Sequence, residues 1–437
     1  MKAPMRRTVW SLVAALSVAV TPLRGQVSAQ TKAIEEGGFE LPKVMKTEDF
    51  LPPDLIKGKN YTVDEHVNTN GFENTYLITS DYGPYQALGD DMARIRIQEF
   101  AAMAQMDEMK KGEQFATAAK NATKSPLVAA GNLITNPVDT VTGIPKGAWK
   151  YMTRLGEMVR GSRGEMEDSV VKELIGFGGA KRKLANQLGV DVYSSNPALQ
   201  ERLNSLAWAS YAGGMTITAG FVAIRAASTV ASLSVMGASR VEGLNKVLLD
   251  NSPEDLRKLN RQQLAKMGLD GNTIDEFLRN PWYSPRHRTV LVEELAGMEK
   301  TKNRKKFITL ATTAESEQDA FFFQRLAQLL RGYHETQSPI TEIDLIGTLP
   351  VGYAANGAMV LPLVVDMGWW SAEAAVLTKA LDERAPKGKK KQLWVTGKLS
   401  PRLVEELQAR KWDVHQNAWR TLYPSAAATQ EGAAKKN

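Results

Sequence analysis

The sequence predicts a mainly α protein: a helical array packed around a small-residue apolar central helix or helix pair, with a small N-terminal β-hairpin and a small C-terminal α/β domain. Three observations lead there. Between Arg202 and Arg240 the only charge is Arg225, and the stretch from Leu206 is built of Ala, Gly, Ser, Thr and Met with few large apolar groups. Such a segment demands burial. From Asp90 to Tyr333 the apolar residues recur at helical spacing behind Ser and Asp caps. After Ser338 short β-type runs alternate with helical ones, the pattern of an α/β unit.

Taken in order, residues 1–29 read as a secretory leader. Lys2, Arg6 and Arg7 precede an apolar run from Trp10 to Leu23, and Val27-Ser28-Ala29 has the small residues of a cleavage site. The chain has no Cys, which excludes disulfides and a lipid-modified Cys and suits a bacterial periplasm. The net charge is +7, but Lys2, Arg6, Arg7 and Arg24 lie in the leader. Removing these 4 from 55 basic residues leaves 51 against 48 acidic ones, or +3. That balance gives no case for nucleic acid.

Residues 30–89 are expected to be an extended lead-in followed by one hairpin, with a strand at Thr75–Thr79 and a turn at Asp81-Tyr82-Gly83-Pro84. A helical domain is expected over 90–334. Its first helix starts at Asp90 and Asp91 and carries a stripe of Met92, Met103, Met106 and Met109, read as core. Residues 125–155, broken by Pro and Gly, form weakly amphipathic pieces suited to packing on the central helices or lying on a membrane surface. Val170–Gly189 reads as a helix. Its Gly176-Phe177-Gly178-Gly179 run matches no phosphate-binding motif. Asn196-Pro197 starts the helix that leads into the central stretch. Residues 206–239 are long enough to span a bilayer, but Arg225 and the Gly and Ser content favour burial inside the protein, with a break near Gly213-Gly214.

Ser252-Pro253 and Ser284-Pro285 are helix starts, and Gly268 is a stop. Further helices are expected at 302–313 and 315–333. In the domain over 338–423, strands are expected at 342–349, 358–365, 392–396 and 412–415, with helices from Ser371 to Arg384 and from Ser400 to Arg410. Residues 424–437 read as a disordered tail.

The chemistry-bearing residues are sparse. The four His, at 66, 287, 334 and 415, form no metal-binding spacing, so no metal and no cofactor is expected. No nucleophile-elbow motif occurs. The most site-like position is Asp366, which follows an apolar strand and precedes Trp369 and Trp370. In open α/β sheets ligands gather beyond the carboxyl ends of strands. Lys398, after the next strand, would face the same edge if the two strands are parallel neighbours. Asp366, Trp369, Trp370 and Lys398 are therefore the candidate ligand-binding set, with Asp366 as the candidate catalytic group. The competing reading has Asp366 capping a turn and the Trp pair docking the helical domain.

These residues together suggest an exported, non-catalytic periplasmic or envelope-associated binding or scaffold protein with a protein or envelope component as partner. An envelope hydrolase using Asp366 is the first alternative. A membrane-inserting protein acting through 206–239, or touching the membrane through 125–155, is the second.

Overall fold

The computed structural model describes residues 38–122, 165–215 and 238–423. Its N-terminal part is a six-stranded antiparallel sheet. The strands are β1 (Met45–Lys46), β2 (Lys57–Gly58), β3 (Tyr61–Val63), β4 (His66–Thr69), β5 (Asn74–Ser80) and β6 (Gly83–Leu88), with a one-turn helix α1 (Pro53–Ile56) before β2. β5 is the centre, pairing with β3, β4 and β6. Along β5 the pleat sends Tyr76 and Ile78 inward and leaves Leu77 half exposed.

Helix α2 (Asp90–Lys110) covers the inner face and buries Ala93, Ile97, Phe100, Met103 and Met106. The Phe100 ring lies among Tyr61, Tyr82 and Tyr85, with centroids 5.6, 6.1 and 4.9 Å away. Helices α3 (Glu113–Ala122), α4 (Glu165–Leu188) and α5 (Pro197–Tyr211) complete this core through Ala118, Leu184, Leu199 and Leu203. The Met stripe is thus structural. The Gly run of 176–179 lies within α4, where a Cβ on Gly176 would fall 2.3 Å from the Tyr211 ring.

Six further helices follow: α6 (Ala238–Asp250), α7 (Pro253–Lys266), α8 (Gly271–Arg279), α9 (Pro285–Ala296), α10 (Arg304–Ala311) and α11 (Glu317–Thr336). The starts of α7, α8, α9 and α11 are set locally. The side chains of Ser252, Asp270, Ser284 and Ser316 each accept from the amide three residues on, satisfying a donor the helix itself leaves open.

The C-terminal sheet has the order β13-β11-β9-β8-β7. β7 (Ile340–Ile346), β8 (Leu349–Ala354) and β9 (Ala358–Leu363) form an antiparallel meander. β11 (Lys390–Val395) and β13 (Trp412–His415) then add in parallel through the crossover helices α12 (Ala372–Arg384) and α13 (Pro401–Ala409). Side chains alternate between two covered faces. Val360 and Trp394 pack on α11 and on the last short helix α14 (Ala418–Leu422), whereas Met359, Leu361, Leu393 and Val395 pack under α12 and α13. That double cover explains the nearly continuous apolar run of β9.

The expectation of a mainly α chain with one small hairpin is overturned: three sheets of six, two and five strands make this a mixed α/β protein. β1 to β4 are two to four residues long and lie in a polar stretch read as a lead-in, too short for alternation to register. β7 and β8 are separated only by the turn at Gly347, whose φ is +64. Among the described residues, the buried apolar side chains are organised by the two large sheets and the helices on them. Of the stretch taken as that hub, 206–215 is described: α5 ends at Tyr211, and a Cβ on Gly213 would fall 2.1 Å from the Ala118 carbonyl oxygen, so only Gly permits this approach to α3. Residues 216–237, 125–155, the leader and the tail lie outside the described residues. No described helix is long and apolar enough to cross a membrane.

Candidate functional site

The carboxyl ends of β9 and β11 do lie side by side, because the strands are parallel neighbours. Beyond them a two-stranded parallel ribbon, β10 (Met367–Gly368) and β12 (Lys398–Leu399), continues the edge. The Lys398 amide donates to the Asp366 carbonyl at 3.0 Å. The chain therefore gathers Asp366, Trp370 and Lys398 at one edge. Each is engaged by the N-terminal part of the same chain.

Asp366 is held on both sides. Its amide donates to the Phe72 carbonyl at 2.8 Å, and its Oδ2 accepts from the Asn74 amide at 2.8 Å. The Asp90 amide also donates to its carboxyl. Asp90 opens α2, whose N-cap position is Gly89, with φ +88 and no side chain to accept a hydrogen bond. Asp366 supplies that function from across the seam: a Cβ on Gly89 would stand 3.7 Å from its Oδ2. The cap thus comes from a residue far along the chain, not from the local sequence.

The second carboxylate here is Asp90. Its Oδ1 accepts from the Tyr76 hydroxyl at 2.5 Å and from Asn74 Nδ2 at 2.8 Å. Burial, then the charge of Asp90, pushes the Asp366 carboxyl well above the usual range, and burial also raises Asp90 against the hydrogen bonds it accepts. Glu73, one residue before β5, is pushed up to about 7 by burial and by Asp319 of α11. Arg94 of α2 offsets the Asp90 charge in part, and Arg325 of α11, 1% exposed, pairs with Asp91 at 2.6 Å. Acids therefore dominate the seam, and as a proton-holding group Glu73 is the one poised near neutrality. Sequence reading missed Glu73, Asn74 and Tyr76, because nothing in a local pattern points at a partner nearly 300 residues away.

Trp370 is buried and Lys398 exposed. The Trp370 amide donates to Glu40 Oε2 at 2.8 Å, its carbonyl accepts from the Glu40 amide at 2.8 Å, and its ring lies 6.5 Å from Phe39. Arg410 stands over the Trp370 ring, 5.0 Å from its centroid. Lys398 Nζ donates to the Asp49 carbonyl at 3.1 Å and lies 5.8 Å from the Phe50 ring. Trp369 is buried with its indole nitrogen unbonded. It is not part of the seam contacts.

Below this edge, between the sheet and helices α12 and α13, lies a cavity of about 50 Å³. Leu361, Val395, Leu377, Leu403 and Trp412 line it, and its one hydroxyl, on Thr378, is turned to the Ala374 carbonyl. It offers no polar group to orient a reacting molecule.

Elsewhere, His287 is buried and held down to about 3 by burial and by Arg286, Arg288 and Arg325, so it stays neutral. His334 accepts from the Ile340 amide through Nδ1, and His415 stacks on Trp394. Lys181, buried on α4 and lowered to about 8, donates to Gln200. Glu99 of α2 is buried among Arg96, Ser194 and Asn196 and joins α2 to the loop before α5. Among the described residues no three His, Asp or Glu are placed to hold a metal ion. No family model, curated protein or solved structure matches this chain.

Proposed function

We propose that the protein is an exported, non-catalytic binding or scaffold protein of the periplasm or cell envelope. One observation carries the reading. At the strand ends, where an α/β enzyme presents its reacting groups, Asp366, Trp370 and Lys398 are bonded to the chain's own N-terminal part. Asp366 acts on main-chain amides, as a helix cap does, and its neighbour Asp90 is bonded to Tyr76 and Asn74. The leader-like residues 1–29 and the absence of Cys support export.

The test is in-cell cross-linking of the full chain at native abundance, with the mass of the recovered protein. The reading expects a mature chain beginning at Gln30 and a reproducible cross-linked envelope partner. Recovery of the uncleaved chain from the cytosol would contradict export. Turnover of an ester, peptide or glycoside substrate that disappears in Asp366→Asn would replace scaffold by hydrolase.

A further inference from the structure

We infer that the α/β module carries a recognition site for an aromatic–acidic peptide segment, held closed in the free chain by its own Phe39-Glu40. This rests on the binding reading above and names where the binding occurs. The site is built from Trp370, Ser400 and Arg410. Glu40 meets it as a ligand would. Its amide and the Trp370 carbonyl form one hydrogen bond at 2.8 Å, and the Trp370 amide and Glu40 Oε2 form another at 2.8 Å. The Ser400 hydroxyl donates to the same Oε2 while accepting from the Leu403 amide, so its proton is directed at the carboxylate. Phe39 lies against Trp370 and joins the apolar cluster of the module, and Arg410 fixes the Trp370 ring.

Three features mark this as recognition rather than ordinary packing. The contacts read a residue pair: a backbone amide, a ring and a carboxylate that accepts from two donors of the module. The segment that fills the site is slight. Pro42, Lys43 and Val44, which follow it, are exposed, Val44 at 64%. Gly38, which precedes it, is exposed with φ +73. The site also lies at the carboxyl edge of the parallel strands, the general ligand position of open α/β sheets. A partner bearing an aromatic residue followed by Glu reproduces every one of these contacts.

The experiment uses the full chain carrying Phe39→Ala and Glu40→Ala, and a synthetic peptide of residues 38–44 as probe, followed by Trp fluorescence. The variant is expected to bind the peptide, and to bind a peptide with Glu40→Gln about tenfold more weakly, as loss of a charge-assisted hydrogen bond requires. The unsubstituted chain, its site already filled, is expected to bind the peptide at least about tenfold more weakly than the variant does. Should the double variant lose its fold by circular dichroism, the single Glu40→Ala chain replaces it. A folded variant that takes up no peptide, or that does not distinguish Glu from Gln, overturns the site. That failure leaves any cross-linked envelope partner in place, whereas absence of all partners with peptide binding intact would remove the scaffold reading and keep the site.

Discussion

Replacing Glu73 by Gln should make the protein more stable at pH 8 and leave it nearly unchanged at pH 4.5. Glu73 is pushed from its ordinary 4.5 to about 7, first by burial and then by Asp319. A carboxyl raised in the folded state binds its proton more tightly there than in the unfolded chain. Folding is then favoured below the unfolded value, and that advantage is lost as pH rises through the interval from 4.5 to about 7, staying flat above it. At about 1.4 kcal/mol per unit the shift corresponds to roughly 3 kcal/mol at most. Solvent reaches part of the side chain, which reduces the expected gain to about 1–2 kcal/mol. Gln keeps the shape and removes the ionisation. Urea unfolding at pH 4.5, 6 and 8, read as the midpoint with constant slope, measures it. A variant with the same fall in stability from pH 4.5 to 8 as the unsubstituted chain, or one less stable at pH 8, would refute the reasoning.

Asp366→Ala should cost about 1–3 kcal/mol, because the Asn74 and Asp90 amides lose their acceptor, while Asp366→Asn, which can still cap, should cost less; urea midpoints compare the two. Gly213→Ala should destabilise by more than about 2 kcal/mol, since its methyl group would meet the Ala118 backbone, whereas Gly243→Ala in α6, with open space around it, should stabilise by about 0.5–1 kcal/mol; thermal melts of both decide. Asn196→Ala removes a side chain that accepts from the Ala198 and Leu199 amides and donates to the buried Glu99 carboxylate, and should cost about 2–3 kcal/mol by the same measurement.

Which parts of this fold the sequence disclosed follows from how local each signal is. Helix starts were readable because a cap is a contact between residues three apart: Ser252, Ser284 and Ser371 each accept from the amide where the Ser-Pro or Ser-acid pattern puts it. The crossover order β9-α12-β11-α13-β13 was readable because β9 is apolar throughout, β11 ends in Leu-Trp-Val, and Ser371 and Ser400 cap the two helices between the strands. Of the N-terminal sheet the β5–β6 hairpin was readable from the strand at 75–79 and the turn at 81–84, but the other strands were not: they have two to four residues, with β3 and β4 pairing on β5 and β2 and β1 pairing on those. The edge holding Asp366, Trp370 and Lys398 was found from strand ends alone. What those residues touch was not, because Asn74, Asp90, Glu40 and Asp49 lie some 270 to 350 positions earlier and bear no pattern that announces the contact.

The central claim is that the strand-end edge of the α/β module is a seam that clasps the N-terminal part of the same chain. Hydrogen exchange at the Asn74, Asp90 and Trp370 amides tests it most directly, since each donates across that seam to a carboxylate. The account predicts that Asn74 and Asp90 exchange as slowly as amides in the middle of β9 and β11, with Trp370 faster but still protected by its lighter segment. Exchange of Asn74 and Asp90 at the rates of freely exposed amides, with β9 and β11 still protected, would contradict it.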